Sequence, residues 1–414
     1  MSTFAPLRVR GFRGLAGAFA INRFGDFLAL VALALVVYDR THSTVATAAF
    51  FVALEFVPAL VAPALVARLD RIPIGRVLPV LYAVECVLFC VLAELTHGFT
   101  LAPFLALVAL DGALAVAARA LCRAGIAATL DGTGALRQGN ALLSMASAPA
   151  MAVGGAAGGA LVASAGADVA LLVNAVTFAV GAVLVSGIRG LACFDVQTSD
   201  AAPTHWRDRL DEALSYVRRT RLVLVLLAGQ ALALVFFAMT EPIEVPYTRD
   251  TLAAGPGGYG ALIAAWGIGV VVGGVLFTWI GQRRLGQTLV VATLLQGAAY
   301  LGLGVAGTIE AACAIGVIGG AANGAQLAAI ATAVQEAISA EFQARVMSLY
   351  EALTTASPGV GYLVGGALGM LAGGRAAFVV AGCGVFAVVA LVGIARPWRV
   401  AAAEPRPKPQ TLPA

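Results

Sequence analysis

Four carboxylates stand inside long apolar runs of this 414-residue chain: Asp26, Glu55, Glu85 and Asp111. A charged side chain in a bilayer core commonly costs about 2.5–3.5 kcal/mol on insertion scales, so each asks for a reason. At about 1.5 Å rise per residue, Asp26 lies roughly 15–18 Å into the first run, near its middle. Glu55, Glu85 and Asp111 fall near the middles of the second, third and fourth runs. Asn22 precedes Asp26 by four residues and so shares its helix face. Glu241 and Glu244 fall near one end of the seventh run and Glu351 near an end of the eleventh, so deep acids concentrate in the N-terminal half. A carboxyl group at this depth can hold a proton or a cation, one excluding the other. The plainer alternative at each position is a structural polar contact.

Other polar groups are few. Arg119 and Arg123 share a face at one end of the fourth run; Arg119 either pairs with a cavity acid or snorkels to the surface. Asn323 and Gln326 in the tenth run offer either cavity contacts or interhelical hydrogen bonds. Pro149 bends the fifth run, and Gly154, Gly155, Gly158 and Gly159 let a neighbour approach, by gating or by plain packing. With only His42, His97 and His205, and six cysteines without ligand spacing, no metal site is expected. Gly257-Gly258-Tyr259-Gly260 lacks a Lys-Ser/Thr continuation and is no phosphate loop. No nucleophile, base and orienting group occur together, so neither an enzyme nor a cofactor is expected.

These groups need elements to hold them in lipid. Hydrophobic residues make up 60% of the chain and charged ones 12%, with mean hydropathy +0.93. Soluble domains carry roughly 25% charged residues, so these runs must face lipid. Spans need about 20 apolar residues. Twelve segments qualify, near 14–38, 45–67, 77–95, 100–122, 140–163, 168–188, 222–246, 258–281, 286–306, 310–334, 346–371 and 374–396. Of the 26 Arg and Lys residues, all but Arg40, Arg249 and Arg375 fall on the side of the N-terminus. This asymmetry predicts that both termini are cytoplasmic. The net charge of +4 follows from that topology and is no sign of nucleic-acid binding. No cleavable signal peptide is expected, because the first run is long, contains Asp26 and leads straight into a second.

Residues 189–221 form the long polar stretch between the two halves. Within it, Leu210, Ala213, Leu214 and Val217 have helical spacing, which predicts an amphipathic helix along a membrane face. The expected units are therefore 1–188, a linker over 189–221, and 222–414. Val153-Gly154-Gly155-Ala156-Ala157-Gly158 recurs as Val364-Gly365-Gly366-Ala367-Leu368-Gly369, and Tyr38-Asp39-Arg40-Thr41 recurs loosely as Tyr247-Thr248-Arg249-Asp250-Thr251. Two matches at nearly one offset argue for duplicated six-span halves with a path between them.

Several stretches resemble a known family: Arg23-Phe24-Gly25-Asp26, Val37 to Ser43, Pro58, Asp70-Arg71, Asn140, Pro149 to Gly159, Val245-Pro246-Tyr247, Tyr259 to Gly269, and Arg345 to Leu349. In order and spacing, the chain resembles a major facilitator superfamily transporter. The branch it resembles is that of drug:proton antiporters, which holds macrolide-efflux and enterobactin-exporter proteins. The resemblance implies an all-α membrane protein of twelve transmembrane helices in two six-helix pseudo-repeat bundles. It implies that spans 1, 4, 7 and 10 line a central cavity and that spans 3, 6, 9 and 12 lie outside. Asp26, Asp111 and Glu55 are then the proton or substrate coupling candidates, and Asn22, Arg119, Asn323 and Gln326 the polar cavity residues. Asp70, Arg71, Pro149 and the four glycines are gating candidates. The loop 66–76 keeps the family's Asp-Arg pair but lacks its leading Gly and its Gly-Arg-Lys end.

The function so implied is export of a lipophilic neutral or cationic compound across a bacterial inner membrane by proton antiport. The chain would act as a multi-pass monomer with small-molecule, proton and lipid partners and no nucleic acid. Export of a siderophore or metabolite, or movement of a lysophospholipid, is the alternative. A non-transporting sensor or scaffold on the same fold is the alternative of another class.

Overall fold

The computed structural model describes residues 5–69, 72–131, 133–188, 206–280, 285–339 and 342–395. The expected gating pair Asp70 and Arg71 lies outside the described residues. The described chain is helical, as lipid demands, because a helix satisfies its backbone donors and acceptors internally. The first six spans are Arg10–Thr41, Thr44–Leu69, Ile74–Leu95, Leu101–Leu130, Leu136–Ala165 and Ala167–Ser186. The seventh to tenth are Arg221–Thr251, Gly255–Ile280, Leu285–Val305 and Ile309–Ala337. A last helical run, Arg345–Ile394, is 50 residues long. Gly373 breaks it with φ 80° and ψ 168°, making an eleventh span over 343–372 and a twelfth over 374–395. Gly166 makes the same joint between the fifth and sixth spans, with φ 100° and ψ 163°. Only glycine holds these torsions without strain, and the joint recurs at the equivalent place in each half.

Each half packs around its own spans. In the N-terminal half the first span lies against the fifth and sixth; in the C-terminal half the eighth and ninth lie against the tenth. The halves meet along two seams, the fifth span against the eighth and the second against the eleventh. The repeated glycines make both. A Cβ on Gly154 or Gly158 would lie 2.5 or 2.7 Å from carbonyl oxygens of Phe24 and Leu28 on the first span. The neighbouring pair crosses between halves: a Cβ on Gly159 would lie 2.9 Å from Gly260 Cα on the eighth span. In the eleventh span Gly361 and Gly365 abut the seventh, and Gly366 abuts Thr44 and Ala48 of the second. The two-faced pattern is therefore itself duplicated.

The halves are also tied at the end opposite the termini, where the two copies of the Tyr-Arg motif meet. Arg249 donates from Nη2 to Asp39 Oδ1 at 2.8 Å, and Tyr38 donates its hydroxyl to Asp250. The remaining members turn inward, each to its own half: Arg40 donates to the Thr96 carbonyl at 2.6 Å and Tyr247 to the Leu303 carbonyl. Thr44 adds a hydroxyl bond to the Gly366 carbonyl at 2.9 Å.

At the terminal end, the linker helix Trp206–Arg219 docks on the C-terminal half. Its Ala213 and Val217 are buried, Tyr216 stacks on Phe342 at 4.5 Å, and Glu212 pairs with Arg345 at 2.6 Å. The apolar stripe expected to meet a membrane face is thus covered by protein at these positions. Protein-facing partners were available because the seventh span begins directly after the helix.

Candidate functional site

Three adjoining cavities run from the middle of the bundle to its terminal end. The first lies inside the N-terminal half and measures about 130 Å³. Asp26 projects from the first span beside two arginines, with Oδ2 3.2 Å from Arg23 Nη1 and 3.4 Å from Arg119 Nη1. Arg119 therefore pairs with the acid instead of snorkelling. The Arg23 guanidinium also rests 4.6 Å from the Phe27 ring. Asp111, on the fourth span, lines the same cavity and is buried, with Oδ1 unpartnered. Behind it a narrow extension holds Asn22 and Glu85. Glu85 is fully buried with both carboxyl oxygens unpartnered, and so are both side-chain polar atoms of Asn22. Buried polar groups without protein partners are where ordered water belongs. Glu85 therefore joins the Asp26 group, although its span lies outside in the resembled fold.

The second cavity, about 280 Å³, lies between the halves. Its walls are aromatic: Phe27 and Phe51 from one half, and Phe237, Tyr259, Trp266, Tyr300 and Tyr362 from the other. Trp266 and Tyr300 stack at 5.6 Å with 16° between planes, giving one flat wall. Among the described residues three carboxylates enter it, Glu55, Glu241 and Glu244, and no Arg or Lys lines it. Tyr362 donates its hydroxyl to Glu55. Glu241 and Glu244 are three residues apart on one face of the short helix Glu241–Pro246. The seventh span runs on through Met239–Thr240 with helical torsions, although Pro242 interrupts its backbone hydrogen bonding, and both acids line the cavity from the turn that follows. From the sequence they stand near the end of a straight run; the signal for the interruption was Pro242 and Pro246 around them.

The third cavity is a vestibule of about 860 Å³ lined by Arg23, Glu55, Pro63, Arg119, Arg123 and Thr354, among others, and runs toward the terminal end. With the opposite end tied shut, the bundle is open toward its termini. Asn323 lines the aromatic cavity. Gln326 does not: it is buried within the C-terminal half, where its Nε2 donates to Gln230 Oε1 at 2.7 Å. Pro149 is exposed on the fifth span and lines none of the three cavities. Gly155 and Gly159 lie in the seam with the eighth span, and Gly154 and Gly158 pack on the first span within their own half. No group of three or more metal-ligating side chains occurs among the described residues.

Comparison with known proteins fits this architecture. A mutant of the nucleoside transporter NupG superposes with TM-score 0.76 at 11% identity, covering 93% of this chain and 100% of its own. The POT family transporter PepTSo gives 0.73 at 12%, covering 95% and 99%. A bacterial homologue of the human lysosomal transporter Spinster, in an inward-facing and occupied conformation, gives 0.68 at 14%, covering 96% and 97%. At these identities the likeness establishes the fold. No curated protein sequence matches the chain. The profile of transmembrane secretion effectors matches residues 1–410. A multi-pass bundle of duplicated halves around a central cavity, matched by that profile over nearly its whole length, belongs to the transmembrane secretion effector family of major facilitator superfamily transporters.

Proposed function

We propose that this secondary transporter exports a lipophilic organic cation in exchange for protons, as the drug:proton antiporters it resembles do. The observation that carries the reading is the cavity between the halves. Aromatic faces attract a cation through the ring quadrupole, three carboxylates supply countercharge, and no lining Arg or Lys opposes it. The two guanidiniums beside the N-terminal cavity, Arg23 and Arg119, are both engaged by Asp26, which disfavours an anionic substrate there. The basic residues cluster at the terminal end, which supports a cytoplasmic placement of that end in a bacterial inner membrane. The three exceptions, Arg40, Arg249 and Arg375, each donate to an acid or carbonyl at the opposite end. The vestibule then loads from the cytoplasm, and the family's secretion description agrees with outward movement. The candidates for the coupling group are the carboxylates Asp26, Asp111 and Glu55.

The test is uptake of tetraphenylphosphonium into proteoliposomes with an imposed proton gradient. Expected is gradient-driven accumulation that collapses with a protonophore. Flux indifferent to the gradient would refute proton exchange, and transport of anions but not cations would refute the substrate class.

A further inference from the structure

Among the described residues, Glu55 alone lines all three cavities. Its position follows from an irregular backbone. Val52–Phe56 is a π turn in the middle of the second span, and such a turn inserts an extra residue and re-aims the side chains around it. Glu55 is exposed to the vestibule, whereas Asp26, Asp111, Glu241 and Glu244 do not line it. From the other half, Tyr362 of the eleventh span donates a hydrogen bond to it. From its own half, Arg23 attracts it while remaining held by Asp26 and Phe27. One carboxyl thus touches the substrate cavity, the acid–arginine group, the opposite half and the water of the vestibule.

We infer that Glu55 is the coupling residue, the group that trades its proton for the charge of the substrate; this rests on the transport reading above. In this exchange Glu55 takes up a proton while the opposite end is open and brings it to the terminal end. A cation entering the cavity pairs with Glu241 and Glu244 and brings positive charge beside Glu55. The O–H bond of Glu55 then breaks, the proton passes to vestibule water, and the electron pair stays on the carboxylate. Tyr362 donates to that carboxylate, and the substrate's charge replaces the proton's. Asp26 acts as a positioning residue, since it keeps Arg23 from pairing with Glu55 and holding it permanently ionised. Glu241 and Glu244 bind the cation but have no face on the vestibule through which to release a proton there.

The experiment uses the full chain in detergent, with tetraphenylphosphonium as the probe. Binding is read from quenching of Trp266, which lines the cavity, and proton release from a pH-indicator dye. Expected for the wild type is one proton released per cation bound. Its apparent affinity should rise about tenfold per pH unit across the titration, as one-for-one exchange requires. Glu55→Gln should bind the cation, release no proton and show an affinity flat with pH; Glu55→Asp should restore release. Tyr362→Phe should keep release but move the pH at which it occurs. Equal release from wild type and a folded Glu55→Gln overturns the assignment while leaving the transport reading intact. Wild-type binding without release overturns the exchange reading as well, and absence of wild-type binding overturns the substrate class.

Discussion

The glycine seam between the fifth and eighth spans makes a sharp prediction about conformation. Gly159→Leu places a branched side chain where even a Cβ would lie 2.9 Å from Gly260 Cα and 3.1 Å from the Gly257 carbonyl. Both neighbours are backbone atoms with no side chain to swing away. The clash exists only while the end opposite the termini is closed, so the substitution penalises one state of the bundle. Overpacking of this kind costs about 1–3 kcal/mol, which shifts a two-state equilibrium by about 5- to 150-fold. Gly158→Leu differs although it is the next residue. It strikes Leu28 of the first span within its own half, so it should lower the stability of that half without favouring either state. The assay is electron–electron distance measurement between spin labels at Thr100 and Thr308. Both are exposed and begin the fourth and tenth spans at that end. Gly159→Leu should lengthen the distance and cut transport, while Gly158→Leu should lower the melting temperature at an unchanged distance. An unchanged distance in Gly159→Leu, or the same lengthening in both, would refute the reasoning.

Three other outcomes are expected. Asp39→Asn or Arg249→Ala should each weaken the closed end. The pair is partly exposed, so a double-mutant cycle should give about 0.2–1 kcal/mol, and the exchange Asp39→Arg with Arg249→Asp should recover most of it. Gly373→Ala puts a Cβ on a backbone only glycine tolerates and should cost about 1–3 kcal/mol, read as a lower melting temperature in detergent. Asp26→Asn frees Arg23 and Arg119 from their shared acid; substrate-induced proton release should be lost while expression and folding persist, and undiminished release would refute the positioning role of Asp26.

Much of the fold was legible because a lipid-facing helix writes its length directly into hydropathy, and because the duplicated glycines keep their order and spacing. The division of those glycines between two partners was not legible, since Gly154 and Gly155 are adjacent in sequence yet meet different halves. Asp26, Asp111 and Glu55 could be singled out because a carboxylate in an apolar run is conspicuous anywhere. Glu241 and Glu244 were harder: depth counted along the seventh span puts them near its end, and only the fold shows that the cavity reaches that far. Gln326 announces polarity but not direction, and its partner Gln230 is 96 residues away. The bond from Tyr362 to Glu55 joins residues 307 apart, a pairing that no local pattern encodes.

The tie at the closed end has a consequence for how the two halves diverged. If both copies of the motif did the same thing, a two-fold contact would pair Tyr with Asp and Arg with Asp on both sides alike. Instead the labour is split: Tyr38 reaches across while its counterpart Tyr247 stays home, and Arg249 reaches across while Arg40 stays home. Each half thus surrenders one donor and receives one, so neither could be replaced by a copy of the other. A chain built from two N-terminal halves would offer two crossing tyrosines and no crossing arginine. Symmetry sets where the halves meet, and the broken symmetry of the donors fixes which half is first.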